Sequence, residues 1–425
     1  MRTVPLYIGL VTLIAPTAAA QEDYLPAAAL QEAGLVKYWQ LQLPLESGQQ
    51  IQHAYLVDDQ LYLGTQDGYV FAVHAPTGVI RWLQPVSRSA YPLRRPCHAG
   101  DNVVFVTPTD MQIYNRRTGE PIARRDLRFP AGTGGVSDGD QVFVGGLDRR
   151  LYAISVATQF VNWKVLTGGP ITSTPVVRDQ RIYFANDAGQ VYCCTRDDKT
   201  LVWQATTHGR ISADLVVTEA GVFVACRDFS LYLLDPNYGN VRWRARLSGP
   251  LQDPPVVTSG LAYQYSPAEG LVAVEATAVG IVEKRVRWTL ANGRMALTVA
   301  NDWVYVLTGD ETLAAVDVGN GQMRYAVPAG GFTIGLPAPQ DQTVWLASYD
   351  GRIFCARPRG TPPLHKDDLL AALRSATEPE PTPAAATPAA PSAVAEDPLR
   401  SKRQGLPIGG KSKVSREFRG GGGAQ

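Results

Sequence analysis

Val222-Phe-Val-Ala-Cys-Arg-Asp-Phe-Ser-Leu-Tyr-Leu-Leu234 runs directly into Asp235-Pro-Asn-Tyr-Gly239-Asn-Val-Arg-Trp243. Two β-rich apolar segments flank a short polar turn, the pattern of a hairpin. A second turn, of the Asp-x-x-x-Gly type, then leads into a third segment that carries a tryptophan. Upstream of several such hairpins lies a further strand, as in Thr172-Ser-Thr-Pro-Val-Val177 and Asp253-Pro-Pro-Val-Val-Thr258. One unit therefore supplies four antiparallel strands.

The unit repeats along the chain. Leu61, Val104, Val142, Ile182, Val222, Ala262, Val304 and Val344 open equivalent hairpins at intervals of 38 to 43 residues. Trp82, Trp163, Trp203 and Trp243 each lie 21 residues after their opening residue; Tyr325 fills that place after Val304, and Trp288 comes five residues later than the period asks. The second unit has no such aromatic, and its register is open, because Asp110 and the Asn115 to Gly119 turn set different alignments. Four-stranded sheets repeated about every 40 residues build radial β-propellers.

The ends of the chain predict how the ring closes. After Val344 the aromatic position falls at 365, beyond Pro358, Pro362 and Pro363, where no ordinary ladder strand forms. Gly34-Leu-Val-Lys-Tyr-Trp39-Gln-Leu-Gln-Leu43 instead copies the outer strand of the other units. The expectation is an all-β, eight-bladed propeller over 35–358, its last blade completed by the N-terminal strand. The blade-defining aromatics are Trp39, Trp82, Trp163, Trp203, Trp243, Trp288 and Tyr325.

Outside the repeat the chain changes character. Residues 1–20 read as a signal peptide: Met1-Arg2-Thr3, an apolar stretch from Val4 to Ile14, and Ala18-Ala19-Ala20 before Gln21. Residues 21–34 form a lead into the first strand. The first cysteine is Cys97, so no lipidation cysteine follows the small residues, and no window is long and apolar enough for a transmembrane helix. These features predict an exported, extracytoplasmic or periplasmic chain. Residues 359–376 form a connector in which Asp367 to Ala376 suits a short helix with acids at its start. Residues 377–398 hold six Pro and seven Ala, the composition of an extended linker. In 399–425 seven Lys or Arg stand against Glu417, a net +6 in a glycine-rich tail expected to be disordered alone.

Composition excludes some functions. With 40 basic and 39 acidic residues among 425, the net charge of +1 gives no footprint for specific nucleic-acid binding. Five cysteines are too few to staple a fold of this size.

The repeat of a hairpin around Asp-Gly, an Asp-x-x-x-Gly turn and a Trp four residues after the Gly resembles the PQQ-like (pyrroloquinoline-quinone-type) propellers. Within that superfamily, an exported chain of eight plain blades is most similar to the outer-membrane assembly branch. That resemblance implies a non-catalytic scaffold, with protein partners that include a β-barrel assembly factor. The same superfamily contains PQQ- and Ca²⁺-dependent dehydrogenases, which makes a PQQ-dependent oxidoreductase the alternative, followed by a binding propeller of unrelated role.

Cys193-Cys194 invites comparison with the vicinal cysteines near a quinone cofactor, but the pair lies inside a strand, where alternation sends the two sulfurs to opposite faces. Asp67, Asp110, Asp148, Asp228, Asp310 and Asp350 occupy equivalent hairpin turns, too far apart from blade to blade to share an ion. No catalytic, cofactor or metal residue is expected, and no cofactor. Arginines concentrate in units two and three, and Arg94, Arg95, Arg116, Arg117, Arg149 and Arg150 are the candidate partner-binding residues, since Arg is favoured at interfaces. The basic tail is a further candidate for weak contact with an anionic envelope polymer or membrane surface, and the chain is expected to be a monomer.

Overall fold

The computed structural model describes residues 22–87, 91–277 and 285–377. The leader at 1–20, all but the first residue of the Pro/Ala linker, and the basic tail lie outside the described residues, as do residues 278–284 of the sixth unit.

Eight four-stranded antiparallel sheets form the eight blades. Seven are continuous, at 51–85, 97–126, 131–166, 176–206, 216–246, 256–290 and 293–328. The eighth takes three strands from 332–358, and its outer strand is the N-terminal Leu35–Gln42, paired antiparallel with Arg352–Pro358 from Leu35↔Pro358 to Gln42↔Arg352. The first strands of neighbouring blades touch around the ring, so they line its axis.

Burial explains why the middle strands read as nearly unbroken apolar runs. Both faces of each sheet are covered by the next blades, so Gly221–Cys226 and Ser230–Leu234 are buried at every position. Outer strands alternate instead, as Val161–Leu166 does. The cores lie between blades: Phe143, Leu151 and Ala153 of the third blade pack with Ile182, Phe184 and Cys194 of the fourth. Each such fully buried large side chain is worth roughly 1.5–3 kcal/mol. The two cysteines of the vicinal pair enter different inter-blade cores, as strand alternation requires, and all five cysteines are free and buried.

Four of the six motif tryptophans staple neighbouring blades through their indole N–H. The indole N–H of Trp39 donates to the Ala75 carbonyl at 2.9 Å, Trp82 to Arg116 at 3.0 Å, Trp203 to Pro236 at 2.9 Å and Trp288 to Val318 at 2.8 Å. Each acceptor belongs to the next blade's last turn, and the turn's glycine lies against the ring. A Cβ at Gly119 or Gly239 would stand 2.5 Å from Trp82 or Trp203, and both glycines have positive φ. The motif's Gly and Trp thus serve two different contacts. Between the second and third blades both are missing: Ala123 holds the second blade's Trp place, and Gln159, at φ +55°, holds the third blade's Gly place. Trp163 faces a turn with Lys199 at φ +58°, and its N–H has no partner.

Strand pairing also settles the second unit. His98↔Val103 matches Val177↔Ile182, so Val103 is the equivalent residue, one place before the expected Val104.

Two helices flank the ring. The lead contains a short helix, α1 (Ala27–Glu32), whose Leu30 is buried with Leu25 against the seventh and eighth blades, while the Tyr305 hydroxyl donates to the Ala33 carbonyl at 2.8 Å. The connector contains α2 (Lys366–Thr377), with Asp367 and Asp368 in its first turn, and it packs on the outer strand of the first blade.

Candidate functional site

Strand direction gives the ring two faces. One carries the hairpin turns between second and third strands and the linkers between blades. The other carries the remaining turns. This divides the six candidate arginines. Arg149 and Arg150 sit at the third blade's hairpin, and Arg94 and Arg95 in the linker that enters the second blade. Arg116 and Arg117 lie on the opposite face, where the Arg116 N–H donates to the Asp101 carbonyl at 2.9 Å.

Their environments differ as well. Arg149 is exposed and has φ +66°. Arg150 pairs with Asp148 at 2.9 Å. Arg94 donates to the Gly132 carbonyl and is half-buried, whereas Arg95 is exposed and donates to the Leu56 carbonyl at 2.9 Å. Arg116 stands 3.7 Å from Asp59. On the hairpin face, then, Arg95 and Arg149 are the two most available to a partner.

The hairpin aspartates are engaged within their own blades. Arg124 pairs with Asp110 at 2.7 Å, Arg244 with Asp228 at 3.2 Å and Arg352 with Asp350 at 3.0 Å. Thr308 donates to Asp310, and Gln49 donates to Asp67 at 3.3 Å. Tyr152 donates to Asp148 at 2.6 Å, and Tyr232 likewise bonds Asp228 four residues before it. Burial works against the charge of Asp350, but bonds from Ser348 and Arg352 outweigh it and hold the carboxyl below its ordinary range. Among the described residues no group of three or more His, Cys, Asp or Glu is placed to hold a metal ion. The described residues do not make a seat for PQQ and Ca²⁺: the vicinal cysteines are split between two cores and the turn carboxylates are already bonded.

Two polar arrangements escaped the sequence reading. At the axis, His53, Arg95, Thr174 and Asp214 hold equivalent places, each two residues before a first-strand pair: Tyr55↔Tyr62, Cys97↔Val104, Val176↔Tyr183 and Val216↔Phe223. Asp214 accepts the Thr174 backbone N–H at 2.6 Å. It faces the lumen, yet protein surrounds it closely. Burial raises its pKa, against the lowering effects of the Thr174 bonds and of Arg95 and Arg94. At the junction of the first two blades, the Tyr62 hydroxyl lies 2.8 Å from His98 Nε2, and His98 Nδ1 lies 2.7 Å from Asp58. Tyr62 is fully buried, so this relay stitches blades together. Neither is visible in sequence, because the partners come from different units at places no local motif marks.

Fold and turn motif together define a PQQ-like eight-bladed β-propeller. The protein it resembles is BamB. The family described as outer membrane protein assembly factor BamB matches residues 109–209 and 187–282, from the second blade into the sixth. The BamB of Moranella endobia (strain PCIT) is 23% identical over 229 residues, half of this chain and 56% of that protein, so the chain spans just over half the length of this curated relative. The crystal structure of BamB from Moraxella catarrhalis superposes with a TM-score of 0.62 at 14% identity, over 78% of this chain and 99% of that one. The computationally designed Ika8 protein gives a TM-score of 0.60 at 12% identity, over 74% of this chain and 98% of that one. These two likenesses show the fold.

Proposed function

We propose that this propeller is a non-catalytic scaffold of the cell envelope that presents its hairpin face to proteins in outer-membrane protein assembly. The observation that carries this reading is the family match across the second to sixth blades. The geometry supports it, since the hairpin carboxylates are bonded within the blades while Arg95 and Arg149 stand exposed on one face. The partner surface centres on those two arginines, with Arg94 and Arg150 beside them; Arg116 and Arg117, on the other face, belong to a separate surface. The partner is a β-barrel assembly factor. The leader-like 1–20 segment and the resemblance to BamB support a location in the envelope. Among the described residues no helix is long and apolar enough to cross a membrane.

Photo-crosslinking tests this. A benzophenone side chain at position 149 should capture an assembly factor in the native envelope, and one at position 117 should not. Capture at neither position, or equal capture at both, would remove the hairpin face from the reading. Uptake of PQQ and Ca²⁺ in stoichiometric amount, with reduction of an artificial acceptor by alcohols or sugars, would replace it with the oxidoreductase.

A further inference from the structure

Helix α2 does not lie flush on the ring. Between it and the seam where the eighth blade meets the first is a cleft of about 510 Å³, walled by Tyr38, His74, Arg81 and Arg357 from the propeller and by Asp368 and Ala371 from the helix.

The two arginines are the anomaly. The Arg81 side chain is only 6% exposed, and its nearest carboxylate, Asp59, stands 3.8 Å away, beyond hydrogen-bond reach. Its Nε is buried without a partner, and no described residue accepts a hydrogen bond from its guanidinium. Asp59 is shared, since Arg116 approaches it at 3.7 Å from the other side. The Arg357 guanidinium carbon lies 3.9 Å from the centre of the Tyr38 ring, and its Nε too is buried without a hydrogen-bond partner. Guanidinium groups carry five donors, and buried donors are almost always satisfied.

The neighbours do not supply the missing acceptors. His74 shares a hydrogen bond with Thr77 at 2.8 Å; burial first, and Arg81 second, push its pKa down to about 4, so it is neutral near pH 7. Asp368 accepts the His365 backbone N–H at 3.2 Å, which caps α2, and no ion pair joins it to either arginine. The cleft thus holds two guanidinium groups with unmet donors, beside Asp59, which His74, Arg81 and Arg116 share at 3.7–3.8 Å without a hydrogen bond, and Asp368, which caps α2. Tetrahedral oxyanions with several acceptor oxygens fit such a pair, because Arg forks bind phosphate in bidentate fashion.

We infer that the cleft beneath α2 is a binding site for a phosphate group, held between Arg81 and Arg357 and roofed by the helix. The group is either free phosphate or the phosphate of an anionic lipid headgroup. The inference is independent of the partner surface proposed above, which lies on the other face.

Calorimetric titration of the full chain with inorganic phosphate is the test. Saturable uptake at one site is expected, weakened roughly tenfold or more by Arg81→Gln and by Arg357→Gln, the loss that removing a charge-assisted bond brings. Ala371→Trp, which fills the cleft from the helix side and leaves both arginines in place, should abolish it, with circular dichroism confirming that each variant folds. Absence of saturable uptake by the full chain, or uptake unchanged in all three variants, would overturn the site. Phosphatidylglycerol vesicles separate the sources: retention that inorganic phosphate displaces and Ala371→Trp abolishes assigns the headgroup, and phosphate uptake without vesicle retention assigns the free ion.

Discussion

Gly239 and Lys199 hold the same place in successive blades and share a left-handed backbone. Gly239 at φ +73° lets the Trp203 ring approach its Cα, so Gly239→Ala should cost about 2 kcal/mol or more through the clash and the left-handed backbone together. Lys199 carries φ +58° without being a glycine, and Lys199→Gly should stabilise by up to about 1 kcal/mol. Chemical denaturation of the two variants checks both signs. Asp214 offers a pH-dependent counterpart. Its pKa is raised in the fold by burial, so the folded chain binds the proton more tightly, and stability is lost as pH rises from the ordinary 3.8 through the folded value. Asp214→Asn, whose amide oxygen can still accept the Thr174 N–H, should melt higher than the parent at pH 7, with the gap closing as pH falls toward 4. A gap that persists unchanged into acid would mean that the carboxylate charge is not its cause. The Gly and Trp of each unit were legible as a motif from their spacing alone. That they grip different blades was not, since nothing within one unit reveals which neighbour a side chain meets.

At the scale of elements, the eighth blade was readable because the chain lacks a strand at one end and carries a matching one at the other. Leu35–Gln42 supplies the ladder to Arg352–Pro358 and places Trp39 against Gly78 of the first blade. Removing residues 21–45 should therefore lower the melting temperature sharply and expose an unpaired edge that aggregates, which differential scanning calorimetry and light scattering would register. An unchanged melting temperature would contradict the role of that strand. Helix α1 was not anticipated. It has only six residues, too few for a helical period to emerge, and it is held by contacts of Leu25 and Leu30 with blades far along the chain. The α2 segment was legible, because paired acids precede an apolar run. The arginine concentration was visible as well, but its division between faces depends on which turn each residue occupies, and that needs strand order.

For the whole molecule, burial should govern thiol chemistry. Cys97 and Cys194 are pushed up to about 12 and Cys193 to about 11, each chiefly by burial, so almost no thiolate exists at neutral pH. Ellman's reagent should find no reactive thiol in the native protein and five after unfolding in denaturant; rapid reaction of any one under native conditions would place that cysteine at a surface. The seam has a consequence in time as well. Leu35 is made early and Pro358 late, and synthesis at about 5–20 residues per second separates them by roughly 15 to 65 seconds. Throughout that interval the first strand has no permanent partner, so every intermediate blade can be complete while the ring is still an open arc. Closure joins residues far apart in sequence, the kind of contact that is slow to form. A chain stalled before its last hairpin would display two unpaired edges, one at each end of the arc, each able to accept a strand from another molecule.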